Sequence, residues 1–288
     1  MQCLEYNVLG ILHMKYVLYS ILALIIAGGI GYLLMRLLTG KRNVSKGRKT
    51  LLAVLMSLLV ILAGSLSYLI PYSKADESCF EELVSDSELT FIRNEDGMTH
   101  WYGFVGENND TVLIFYPGAK VDSAAYVRLM KETARKGIDV YVVEFPFHMA
   151  FFNINAAGKI LKDKNYENIY IGGHSLGGVA ACSYAQKSAD KVDGIILLAS
   201  YPTDKIDDKL RLLSIYGDKD GCLEMNAYND AKLNWPINHF EEIIAGGNHA
   251  QFAQYGKQKG DNEASITTER QIEITADVIC RFMGVGNE

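Results

Sequence analysis

At 288 residues the chain has room for one sizeable α/β domain or two small ones, and 49% of it is apolar. Residues 1–70 hold seven Lys or Arg and one acid; of the chain's 28 bases and 34 acids, 21 and 33 then fall after residue 70, a net charge of −12 there. So acidic a body excludes a nucleic-acid partner held by phosphate neutralisation and leaves small or uncharged substrates.

Two stretches near the start are free of charge for twenty residues each: YVLYSILALIIAGGIGYLLM over 16–35 and LLAVLMSLLVILAGSLSYLI over 51–70. About 20 apolar residues in a helix cross a hydrocarbon layer of roughly 30 Å, so both read as transmembrane helices. A cleaved signal peptide is the alternative for the first, but its apolar part exceeds the usual length and no small-residue cleavage site follows. The loop between them, residues 36–50, contains Arg36, Lys41, Arg42, Lys46, Arg48 and Lys49 and no acid. By the positive-inside rule this loop is cytoplasmic, which puts both termini and the remaining chain outside. Ala23, Ala27 and Gly31 recur every four residues and predict a face of the first helix that lets the second come close. Residues 1–15 form an N-terminal segment with two candidate start methionines, Met1 and Met14.

Residues 71–88 are polar and acidic after Pro71 and read as a linker with a short helix. From residue 89 onward, strand-like runs alternate with helical ones. LTFIRN and THWYGFV predict a hairpin; TVLIFY, IDVYVVEF, NIYIGG, DGIILLAS, RLLSIYG and HFEEIIA follow. Runs such as TVLIF and GIILLA are apolar at successive positions, as strands covered on both faces must be. The expectation is a mostly parallel sheet flanked by helices over residues 89–288. Five cysteines, widely spaced and without a CxxC pair, predict neither a disulfide framework nor a metal site.

Residues 172–178, GGHSLGG, place a serine between a strand and a helical stretch, with Gly173-His174-Ser175-Leu176-Gly177 fitting G-x-S-x-G. In that setting the serine occupies a strained strand-to-helix turn and is exposed as a nucleophile. Serine needs a base to take its proton, and the base needs a third group to hold its tautomer. Candidates in the order acid then histidine follow two later strands: Gly217-Asp218-Lys219-Asp220-Gly221 and Gly246-Gly247-Asn248-His249. The strand-end context selects His249 as base, and the G-x-x-D spacing favours Asp220 over its competitor Asp218. His174, beside the serine along the chain, is expected to support the pocket. For an oxyanion, the backbone N–H of Leu176 is one donor and that of Ala119, in Pro117-Gly118-Ala119-Lys120, is the other, with Lys120 or Val121 as the register alternatives.

YPGAKVDSAAY, GGHSLGG, SIYGDKDG and GGNHAQFAQYG together resemble the α/β-hydrolase superfamily, specifically its compact, lidless serine hydrolases similar to dienelactone-hydrolase-like and small esterase proteins, over residues 89–288. The resemblance implies the α/β-hydrolase fold, a catalytic set of Ser175, Asp220 and His249, oxyanion amides at Ala119 and Leu176, and no cofactor or metal. The oxyanion loop matches the family's usual pattern only at its glycine, and the elbow carries serine where dienelactone hydrolases carry cysteine. The short connection between Ser200 and Arg211 implies an open site. The implied activity is cleavage of a small-molecule carboxylic ester, with thioester or amide next, by an enzyme anchored in the lipid bilayer. The rival reading is an inactive binding or assembly protein that kept the fold. A transporter is disfavoured because neither apolar stretch holds an ionisable residue.

Overall fold

The computed structural model describes residues 23–40, 44–95, 97, 99–162 and 164–285. Residues 1–22, 41–43 and 286–288 lie outside these, and with them Met14, the start of the first apolar stretch, Lys41 and Arg42. The chain divides into two compact units, one ending at Pro71 and one beginning at Tyr72.

In the first unit, α1 covers Ala23–Thr39 among the described residues and α2 covers Lys46–Leu69. α2 is 24 residues long with mean hydropathy 2.3, long and apolar enough to cross a membrane; the described part of α1 is a shorter apolar helix. Ala27, Gly31, Met35 and Thr39, four residues apart, are the buried face of α1, whereas Ala23 is exposed. A side chain at Gly31 would collide with the backbone of Ser57, so this glycine is what lets the two helices touch.

The second unit is built on eight strands: β1 Thr90–Asn94, β2 His100–Val105, β3 Thr111–Tyr116, β4 Asp139–Glu144, β5 Asn168–His174, β6 Gly194–Leu198, β7 Arg211–Gly217 and β8 His239–Ile244. They form one sheet in the order β1-β2-β4-β3-β5-β6-β7-β8. The β1–β2 hairpin and the β2–β4 pair are antiparallel, and every pair from β4 to β8 is parallel. The expected eight runs and the mostly parallel sheet are thus present.

Strand β3 shows why a continuous apolar run is needed. Leu113 and Phe115 face a core closed by α4 (Val127–Ala134) and α8 (Thr268–Met283), while Val112, Ile114 and Tyr116 face one closed by α5 (Ala156–Ile160) and α6 (Leu176–Lys187). Both faces are buried, so polar alternation is impossible there. A further short helix, α7 (Met225–Ala231), contributes Tyr228 to the second core and was not foreseen in its polar sequence.

The polar 71–88 segment is folded onto this unit. Ser73 bridges Val121, the Asp76 amide donates to the Gln254 carbonyl, and α3 (Glu77–Glu81) buries Cys79. Asp86 pairs with Lys131 and Arg135, and its carboxyl lies well below the usual range chiefly because it accepts from the Glu88 and Leu89 amides.

Ile196 in β6 is fully buried between neighbouring strands. Replacing it with alanine is expected to cost about 2–5 kcal/mol, read as a lower urea midpoint with an unchanged slope.

Candidate active site

Parallel strands point the same way, so the loops after β3, β4, β5, β6, β7 and β8 gather at one end of the sheet. Among the described residues, six non-glycine residues have positive φ: Asn108, Lys120, Phe147, His148, Ser175 and Ala199. Five of these lie in the loops that follow β3, β4, β5 and β6. Each such conformation costs about 1–3 kcal/mol and persists only where the surroundings enforce it.

Ser175 stands at φ 52°, ψ −128°, between β5 and α6. The turn is enforced from both sides. A Cβ at Gly173 would lie 2.5 Å from the Gly177 carbonyl carbon, and one at Gly177 would run into the carbonyls of Tyr116 and Pro117. Gly172 and Gly178 are similarly tight against Ile196 and Ser200. The Ser175 amide donates to Leu198 O, and its carbonyl accepts from Ser200 Oγ at 2.7 Å. The serine backbone is therefore fixed while its side chain, on a partly exposed residue, makes no hydrogen bond among the described residues.

His249 Nδ1 donates to Asp220 Oδ2 at 2.8 Å, and both side chains are almost wholly buried. The other oxygen of Asp220 accepts from the amides of Cys222 and Leu223. Asp218 instead accepts from the Gly246 amide and does not reach the imidazole. With Nδ1 committed as donor, His249 keeps Nε2 as its free acceptor. Its ring packs on His174, the residue before the serine, with centroids 4.6 Å apart. The structure thus joins Asp220 to His249 and sets the imidazole beside the elbow.

In the loop after β3, the Gly118 amide donates to Tyr126 Oη at 3.0 Å and the Lys120 amide to His148 O at 2.7 Å. Between them, the Ala119 amide has no acceptor among the described residues. Leu176 is the first residue of α6, where a helix leaves its N–H unpaired. The Ala119 and Leu176 amides are thus two donors without an acceptor among the described residues.

Tyr126 accepts from Gly118, so its hydroxyl proton goes to His174 Nδ1, 2.7 Å away. His174 is fully buried, and burial first, then the neighbouring His249, holds it neutral with a pKa well below the usual histidine value. No positive charge stands next to His249 at neutral pH from that side.

Residues 112–273 match the alpha/beta hydrolase family. The chain belongs to the alpha/beta hydrolase family. No curated protein matches it by sequence. Its fold is shared with a membrane phospholipase A described as a bacterial virulence factor (14% identity, TM-score 0.54, covering 83% of this chain and 100% of that one). It is shared also with Est1E from Butyrivibrio proteoclasticus (17%, 0.51, 69% and 100%). A third structure with this fold is a predicted CIB-like hydrolase from Thermoplasma acidophilum (18%, 0.50, 67% and 98%). At these identities the likeness is one of fold.

Several residues that hold this candidate site together were not foreseen. Asp261 accepts from the Gly221 amide with one oxygen and from the Ala250 amide with the other, tying the neighbour of Asp220 to the neighbour of His249. Gln271, fully buried on α8, bonds both the amide and the carbonyl of Asn248. Tyr126 closes the quoted motif YPGAKVDSAAY, which was its one visible signal. Two clefts of the unit, about 560 and 940 Å³, are lined by other residues and not by Ser175.

Tyr126→Phe leaves a buried amide and a buried ring nitrogen unpaired, and should cost about 1–3 kcal/mol per group in a denaturation experiment. His174 has a folded pKa below its unfolded one, so it favours folding above pH about 6.5 and opposes it increasingly as pH falls below that. Stability should drop with acid by up to about 1.4 kcal/mol per pH unit from this group, and comparison of urea midpoints at several pH values should show a shallower drop in His174→Gln.

Proposed function

We propose that the protein is a membrane-anchored serine hydrolase that cleaves carboxylic esters through an acyl-enzyme on Ser175. The observation that carries this reading is the Ser175 hydroxyl, unbonded on a strained turn, with a buried His249–Asp220 pair whose imidazole packs on the residue before the serine. In the first step His249 Nε2 takes the Ser175 proton as Oγ bonds the ester carbonyl carbon, and the Ala119 and Leu176 amides hold the oxyanion. Collapse breaks the carbon–oxygen bond to the alcohol, which leaves with the proton from His249. Water then repeats the sequence, giving its proton to His249 and releasing the acid as Ser175 regains a proton. Asp220 keeps the imidazole in one tautomer and stabilises it while charged. The residues supply proton transfer and charge stabilisation without a cofactor.

Membrane anchoring rests on α2 and on the charge-free stretch 16–35 as two spans, with the basic loop 36–50 on the cytoplasmic side and the hydrolase unit outside. Residues 71–88 then serve as the connection and 89–288 as the hydrolase domain. A protein of the same fold being named a membrane phospholipase A agrees with an ester substrate at a membrane.

Ser175→Ala should lower turnover of p-nitrophenyl butyrate by about 10⁴-fold or more and abolish labelling by a fluorophosphonate probe; robust labelling of that variant refutes the reading. Protease added to intact cells should remove the hydrolase unit, and full protection would reverse the orientation.

A further inference from the structure

We propose that the ester is presented by a lipid bilayer, its hydrocarbon chain lying on the aromatic loop between β4 and α5; this rests on the serine hydrolase reading above. That loop, residues 145–155, carries Phe147, Phe151 and Phe152, which are 42%, 45% and 53% exposed, with the rings of Phe147 and Phe152 5.6 Å apart. It adjoins the oxyanion loop through the bond from the Lys120 amide to His148 O, and its Ala150–Phe152 turn packs on α6. Leu176, directly after the nucleophile, is 46% exposed. Exposed apolar side chains thus stand both on this loop and on the residue that follows Ser175.

Phe147 and His148 both sit at φ 53°. A bulky residue in the left-handed region is an outlier, so the loop keeps Phe147 turned outward against a local cost. A connection between a strand and a helix requires no such strain, and a soluble protein gains nothing from three exposed phenylalanines beside its site. A small water-borne ester does not need them.

The chain itself supplies the bilayer. α2 ends at Leu69, and by Tyr72 and Ser73 the backbone is already fastened to the site loops. Tyr72 stacks on His148 at 3.9 Å, the Ser73 amide donates to Lys120 O at 2.7 Å, and Ser73 O accepts from the Asp122 amide. Four residues cannot extend beyond roughly 14 Å. If α2 crosses the membrane, the oxyanion loop is tied within roughly 14 Å of chain to its end, about twice the 5–7 Å that the headgroup region adds to each side of the hydrocarbon core. A tether this short fastens the chain leaving α2 to the loops that carry Lys120 and His148.

The test uses the full chain reconstituted in phosphatidylcholine vesicles, with p-nitrophenyl butyrate in the water and p-nitrophenyl palmitate in the membrane. The wild type should hydrolyse both. Phe151→Ser with Phe152→Ser should lower the ratio of palmitate to butyrate turnover by about tenfold, equivalent to the loss of about 1.4 kcal/mol. Ile237→Ser, which removes a still more exposed apolar residue, 81% exposed, just before the edge strand β8, should leave that ratio where it was. An unchanged ratio in the double variant overturns the proposal, as does an equal fall in Ile237→Ser. Butyrate turnover without palmitate turnover in the wild type overturns it while the hydrolase reading stands; turnover of neither ends both.

Discussion

Backbone pressed against backbone at the start of α6 is the contact on which the site depends. Gly177 meets the carbonyls of Tyr116 and Pro117 with no room for a side chain, so the helix that begins after Ser175 lies directly on the loop that begins after β3. That contact has two consequences at once. It holds Ser175 in a conformation non-glycine residues avoid, and it sets the start of α6 against the loop that carries Ala119. The strain is not confined to one turn, since Lys120, Phe147, His148 and Ala199 share it in the adjoining loops. Strain of this kind is sustained by the surrounding sheet, whose two cores bury nearly every residue of β3, β5 and β6.

Asp220 and His249 are held by a second backbone contact. Gly217, at the end of β7, lies against Gly247, at the end of the loop after β8, again too closely for a Cβ, and the Lys219 amide donates to Gly247 O. Asp261 and Gln271 then clamp the flanking residues. A buried carboxylate is costly unless its oxygens are satisfied, and those of Asp220 accept from two amides and the imidazole. On the other side of the imidazole, neutral His174, bonded to Tyr126, packs on the His249 ring.

Much of this was legible from the chain. Strands buried on both faces leave unbroken apolar runs, and β3 to β7 were visible for that reason, while β1, β2 and the largely exposed edge strand β8 were read from shorter strand-like runs; Ser175, Asp220 and His249 follow β5, β7 and β8 in turn. Asp220 could be preferred to Asp218 only by spacing, and the distances to His249 and Gly246 now separate them. What escaped were pairings between distant residues of ordinary type. Asp261 looks like any turn aspartate, Gln271 like any helix glutamine, and α7 is short and largely polar. The segment 71–88 reads as a linker because it is acidic, yet its anchorage runs through backbone bonds at Ser73 and Asp76, which composition does not encode.

The most direct test is a crystal structure of the protein after reaction with a fluorophosphonate. The account predicts a covalent bond from Ser175 Oγ to phosphorus and a phosphonyl oxygen about 2.7–3.1 Å from both the Ala119 and Leu176 nitrogens, with His249 Nε2 facing the ester oxygen. An adduct on another residue, or an oxygen turned away from those two amides, would contradict it.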